Sequence, residues 1–123
     1  MEPQQEIHSY KNLIVWQRSM ELVKATYQLT QLFPRSELYG LSSQMRRAAV
    51  SIPSNIAEGR RRGSRKDYRQ FLIVAYGSGA ELETQVEIAK ELDFIKQSDS
   101  TKIVQLLTEV MKMLNKMLSS LRN

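Results

Sequence analysis

Apolar residues recur along most of this chain at alternating steps of three and four, the spacing of a helix that buries one side. A first helix opens near Asn12, as N-cap, and carries Leu13, Trp16, Met20, Val23 and Tyr27. It stops by Phe33, because Pro34 disfavours helix in the residue before it. A link over residues 34–42 contains Gly40, and a second helix starts somewhere between Glu37 and Ser43. Its stripe is Leu41, Met45, Ala48, Ile52 and Ile56, and it ends around Gly63. Pro53 lies inside it and lacks the N–H that would bond the Ala49 carbonyl. The apolar phase survives across Pro53, so a kink is expected, with Ser51 or Ser54 helping the freed backbone, rather than a break.

A third helix opens on Ser64-x-x-Asp67, which resembles a capping box, and its stripe is Tyr68, Leu72, Ala75, Gly79, Leu82, Val86 and Ala89. After a turn at residues 97–100, a fourth helix repeats Ile103, Leu107, Val110, Leu114, Met117 and Leu121. Four such stripes joined by short links predict an all-α fold, an antiparallel up-down four-helix bundle. Residues 1–11 are expected to form a flexible N-terminal tail, and residues 12–123 one bundle domain.

Two helices carry more apolar surface than such a bundle uses. With Leu13 and Trp16 facing the core, Val15, Leu22 and Leu29 fall on the outward side of the first helix, about 130° from the stripe. Ile73, Val74 and Ile88 fall outward on the third helix. The surplus residues of the fourth helix (Val104, Leu106, Met111, Met113 and Leu118) only flank its core stripe. A contiguous exposed apolar face is a site of association. The expected oligomer interface is therefore Val15, Leu22, Leu29, Ile73, Val74 and Ile88. Gly77-Ser78-Gly79 in mid-helix costs about 2 kcal/mol of helix propensity relative to alanine, as suits a close contact within the bundle.

Charge sharpens the picture. The chain has 123 residues with a net charge of +5, yet six of its 18 basic residues lie between Ile56 and Arg69. Arg60, Arg61 and Arg62 close the second helix; Arg65, Lys66 and Arg69 occupy the first turns of the third. Cations at a helix N-terminus oppose the macrodipole by a few tenths to about 1 kcal/mol each. All six can crowd one corner, and their natural complement is the phosphate backbone of RNA or DNA. Arg46 and Arg47 lie roughly 20 Å away along the second helix and need not belong to that corner. Residues 81–93 carry five acids against Lys90 alone. Glu58 is placed to pair with Arg62 four residues on, and Asn55 to bond backbone near Pro53.

Other chemistry finds little support. His8 is the only histidine and there is no cysteine, so thiol catalysis, disulfides and Ser-His-Asp triads are not expected. Glu-x-x-His di-iron ligands and an Arg-x4–6-His ribonuclease motif are also missing. Glu83, Glu87 and Glu91 line one face but read as a solvated acidic stripe rather than a metal site. Gly59 and Gly63 bracket the arginines as helix-ending glycines, not as a phosphate loop. The expectation is a non-enzyme without cofactor or metal. The missing cysteines and the polar, acidic N-terminus suit a reducing cytoplasm, and no membrane partner is expected.

Several motifs have a family look: Leu13-x-x-Trp16-Gln17, Phe33-Pro34-x-x-Glu37-x-x-Gly40-Leu41, Gln44-x-Arg46-Arg47-Ala48 and Ser51-Ile52-x-x-Asn55-Ile56-Ala57-Glu58-Gly59. With Ala75-x-Gly77-Ser78-x-x-Glu81-Leu82-Glu83 they resemble the bacterial 23S rRNA intervening-sequence proteins over about residues 10–95. Ser54 departs from the larger residue common there, and the triple arginine replaces small or polar residues. The resemblance implies an up-down bundle assembling into a ring-like homopentamer. Some relatives are encoded within insertions in the large ribosomal RNA gene. Related bundles, the accessory variability determinants of retroelements, bind a reverse transcriptase and nucleic acid. The expected function is thus an oligomeric nucleic-acid-binding scaffold. The alternative is a protein–protein adaptor recruiting a reverse transcriptase or a ribosomal partner.

Overall fold

The computed structural model describes residues 9–122. Most of the expected tail, His8 included, lies outside the described residues. Ser9 and Tyr10 do not behave as tail: the Ser9 hydroxyl accepts from the Lys11 amide and caps a 3-10 turn at Tyr10–Asn12. Four helices follow: α1 at Ile14–Thr30, α2 at Leu41–Arg62, α3 at Arg65–Glu91 and α4 at Thr101–Ser120. There is no strand among the described residues. Each helix packs on two neighbours, α1 on α2 and α4, α3 on α2 and α4, which is the square of an all-α four-helix bundle.

Helix ends follow local chemistry. The α1 N-cap position is Leu13 rather than Asn12. The Glu37 carboxylate accepts from the Leu41 amide and supplies α2 with the side-chain cap that Gly40 lacks. α2 ends where Gly63 takes the left-handed conformation, φ 87°, and Ser64 at once caps α3 by accepting from the Asp67 amide. Helix α2 runs unbroken through Pro53. Neither expected serine serves the freed carbonyl, however. Ser51 bonds the Ser78 hydroxyl of α3 at 2.8 Å, while the Asn55 amide donates to the Ser51 carbonyl and hydroxyl.

The core stripes of α2, α3 and α4 are those of the sequence pattern: Met45, Ile52, Ile56, Leu72, Leu82, Val86, Leu107 and Leu114 are fully enclosed. Helix α1 is turned the other way. Val15, Leu22 and Leu29, expected on the outer face, are 3%, 0% and 5% exposed and belong to the subunit's own core. Met20 and Tyr27, expected inside, are exposed, and Trp16 and Val23 only half-buried. Polar residues disguise the inward stripe, which reads Val15, Ser19, Leu22, Thr26, Leu29 and Thr30. Their hydroxyls are buried at low cost because each donates to a carbonyl one turn back: Ser19 to Trp16, Thr26 to Leu22 and Thr30 to Thr26, at 2.7–2.9 Å. Helix α1 still has an apolar outer side, but it is the Met20–Tyr27 side. Ile73, Val74 and Ile88 do lie exposed on α3.

Glycines mark the tightest approaches. Gly59 does not end α2; it is buried within the helix, and a Cβ there would stand 2.7 Å from the Phe71 Cβ and 3.3 Å from the Tyr68 carbonyl. Gly79 packs against Met111 of α4, whereas nothing lies within 4 Å of a Cβ at Gly77.

One set of chemical denaturation curves tests this packing. Leu22→Ala is expected to lose about 2–5 kcal/mol and Met20→Ala under about 0.5 kcal/mol, an order that an outward Leu22 would reverse. Gly59→Ala is expected to destabilise by about 1–3 kcal/mol. Gly77→Ala, in an exposed helix interior, is expected to gain up to about 1 kcal/mol.

Candidate nucleic-acid interface

The two-residue link at Gly63 and Ser64 turns the chain back, so the last turn of α2 and the first turns of α3 share one end of the bundle. Two other elements reach the same end: the Tyr10–Asn12 turn, which contacts α2, and the end of α4, where the Ser120 carbonyl accepts from Arg65. The six expected cations are gathered there. Arg60 and Arg65 line one open cleft of about 450 Å³ together with Gly63, Ser64 and Tyr68. Arg65, Lys66 and Arg69 line an adjoining cleft of about 520 Å³. Leu121 borders both.

Aromatic rings, which the sequence reading did not assign to this site, hold the three arginines of α2. The Arg60 guanidinium lies 5.9 Å from the Tyr68 ring centre, Arg61 5.5 Å from Tyr10 and Arg62 5.0 Å from Phe71. A guanidinium stacked on a ring keeps its edge donors free for an anion. Tyr68 and Phe71 interleave with Arg65, Lys66 and Arg69 in the sequence, but the helical stripe assigns Tyr68 to the core.

Not all six charges are equally available. Arg62 pairs with Glu58 at 3.0 Å, as their spacing predicts, although both are half-exposed and such a pair contributes little. Arg65 finds a partner of its own in the Ser120 carbonyl, 2.8 Å away at the negative end of the α4 dipole. Its place in the first turn of α3 is therefore explained within the fold, which corrects part of the dipole argument. Arg61 and Lys66 are exposed and take part in no ion pair among the described residues. The cluster of six cations still outweighs Glu58 and Asp67, giving 6 − 2 = +4 over residues 56–69.

Two polar atoms in the corner are shielded from water without a hydrogen bond, the Tyr68 hydroxyl and Arg69 Nε. Burial pushes the Tyr68 phenol above its usual value of 10.0; the nearby Arg60 charge opposes this but does not cancel it. Arg60 acts there by charge and stacking rather than through a well-aligned bond. Along α3, Glu83, Glu87 and Glu91 are exposed, Glu87 paired with Lys90 at 3.0 Å. Among the described residues no three acidic or histidine side chains converge as a metal site. No helix there is long and apolar enough to cross a membrane.

The family described as 23S rRNA-intervening sequence protein matches residues 11–116, most of the chain and all four helices except the last turn of α4. The chain belongs to that family. A solved structure of a protein of unknown function from the S23 ribosomal protein family of Bacteroides thetaiotaomicron superposes with a TM-score of 0.79 at 24% identity. The match covers 85% of this chain and 98% of that one, and at this identity it carries the fold alone. Comparison with curated proteins returns no match. The 23S rRNA-intervening sequence protein match ends short of Leu121, which borders both basic clefts, and includes their other lining residues.

Tyr68→Phe removes the unpaired hydroxyl and is expected to leave stability at neutral pH unchanged or raised. Because the folded-state pKa of Tyr68 is raised, its contribution is present below about pH 10 and is lost as pH rises through the folded value. Urea unfolding on either side of that range is expected to show a smaller alkaline loss in Tyr68→Phe than in wild type; equal losses would refute the linkage.

Proposed function

We propose that this 23S rRNA-intervening sequence protein is a non-enzymatic, oligomeric scaffold that binds the phosphate backbone of RNA or DNA through the corner between α2 and α3. The observation that supports it most is the gathering of six cations at one end of the bundle, where Arg60, Arg65, Lys66 and Arg69 line two adjoining clefts and Arg60, Arg61 and Arg62 lie over aromatic rings. Fixed guanidinium groups lose little side-chain freedom on meeting a phosphate. Contacts of this kind recognise the backbone and not the bases, so binding is sequence-tolerant and falls with salt.

Association of subunits multiplies the corner. The exposed Ile73, Val74 and Ile88 of α3, with the uncovered Gly77 between them, are the surface proposed for it, in place of the buried Val15, Leu22 and Leu29. A homopentameric ring, as the family resemblance implies, presents the corner five times. Several weak patches on one body then bind a long polyanion far more tightly than one patch does.

Binding of labelled structured RNA by wild type and by an Arg60/Arg61/Arg62→Ser variant, from about 50 to about 200 mM salt, tests the corner. The variant is expected to bind more weakly, with a shallower dependence of log K on log salt, by roughly 0.9 for each phosphate contact removed. Equal affinities and slopes would reject the interface. Separately, Ile73→Glu with Val74→Glu is expected to lower the mass measured by light scattering; an unchanged mass places subunit contact elsewhere.

A further inference from the structure

At the opposite end of α2 a second concave surface, not used by the proposed corner, encloses about 620 Å³ between Tyr27, Leu38, Tyr39, Arg46, Arg47 and Val50. Tyr39 is 93% exposed, so the fold makes almost no use of its ring. Tyr27, Leu38 and Val50 are also exposed, at 41%, 47% and 40%. Arg46, by contrast, is fixed. Its guanidinium carbon lies 4.6 Å from the centre of the Tyr27 ring, and its Nε donates to the Thr30 hydroxyl at 2.9 Å. Those contacts use the ring face and Nε and leave the terminal amino groups for another partner. No acidic residue lines the cleft, and neither arginine forms an ion pair among the described residues. Glu81 lines only the neighbouring cleft, which it shares with the far side of Arg47.

We infer that this cleft is a stacking site for one unpaired base of a single-stranded nucleic acid, with Tyr39 as the platform and Arg46 and Arg47 holding the adjacent phosphate. A ligand that fits must bring a planar apolar group beside a negative one, and a nucleotide unit does so at each repeat. Continuity with the basic corner favours a strand over an acidic protein segment. Arg46 and Arg60, like Arg47 and Arg61, are 14 residues apart in α2. That is close to four turns, so each pair shares a side of the helix about 21 Å apart. A strand anchored at the corner can track α2 and present a base to Tyr39. The bases of a duplex are already stacked on one another, whereas a single strand offers its faces freely. The inference rests on the nucleic-acid reading and adds to it the single-stranded form and a contact to the base.

The test compares a single-stranded RNA, the same strand with abasic sites and its duplex, each against wild type, Tyr39→Ala, Tyr39→Phe and the Arg60/Arg61/Arg62→Ser variant. Tyr39→Ala is expected to lose about tenfold in affinity for the single strand, within the range of one stacked base, with its salt dependence unchanged. Tyr39→Phe is expected to retain wild-type affinity, and wild type and Tyr39→Ala are expected to bind the abasic strand alike. Because Tyr39 is so exposed, its replacement does not endanger folding. Equal binding of the single strand by wild type and Tyr39→Ala overturns the inference, as does an equal loss on the abasic strand. So does a fall in oligomer mass in Tyr39→Ala, which would assign the cleft to a second copy of the chain. If only the triple-arginine variant weakens binding, the corner stands and the stacking site does not. If wild type binds none of the three probes, both readings fail.

Discussion

The approach of α2 to α3 at Gly59 is the constraint on which the rest of this molecule depends. A hydrogen in place of a side chain lets α2 lie against the Tyr68 carbonyl and the Phe71 Cβ, distances at which no larger residue fits without displacement. Further along, Ser51 and Ser78 join the same two helices by a hydroxyl pair, and Asn55 braces that pair from within α2. This is the most extensive helix contact in the bundle. It also decides where charge goes. Once α2 and α3 are closed on each other through the left-handed Gly63, Arg60 and Arg62 at the end of one helix stand over aromatic rings of the other.

The electrostatic character of that end follows from geometry more than from the number of cations. Part of the charge is answered locally: Glu58 meets Arg62, and the carbonyl end of α4 meets Arg65. The remainder is held on rings, or lines open clefts where counter-ions or phosphates can approach. Electrostatic attraction at such a surface is strong only in low salt and is raised by repetition in an assembly. The proposed function joins the basic end and the exposed flank of α3 on this ground.

Helix α1 shows how a bundle can hide its own logic. Its inward stripe includes serine and threonine, whose hydroxyls return to the helix backbone and so enter the core without an unmet hydrogen bond. The outward side keeps Met20 and Tyr27, and Tyr27 serves as a shelf for Arg46. A residue that looks like core by its chemistry is thus placed to organise a surface cleft.

The chain's own pattern determined the class of fold, the extents of four helices, the core stripes of α2, α3 and α4, and the capped turn at Ser64. These are local properties, set by spacing, by glycine and proline, and by which side chains can cap an amide. It also placed the six cations on either side of one turn and put Ile73, Val74 and Ile88 outside. Tertiary structure alone decided which of the two stripes on α1 faces inward. That choice depends on the summed packing of α2 and α4 against it, and hydrophobicity summed along one helix does not contain it. It likewise decided that Gly59 is a contact rather than a terminus, and that Ser120 meets Arg65 across 55 residues. The pairing of each arginine with its ring belongs to the same category. Such contacts join residues of different elements, and only the closed bundle fixes their separation.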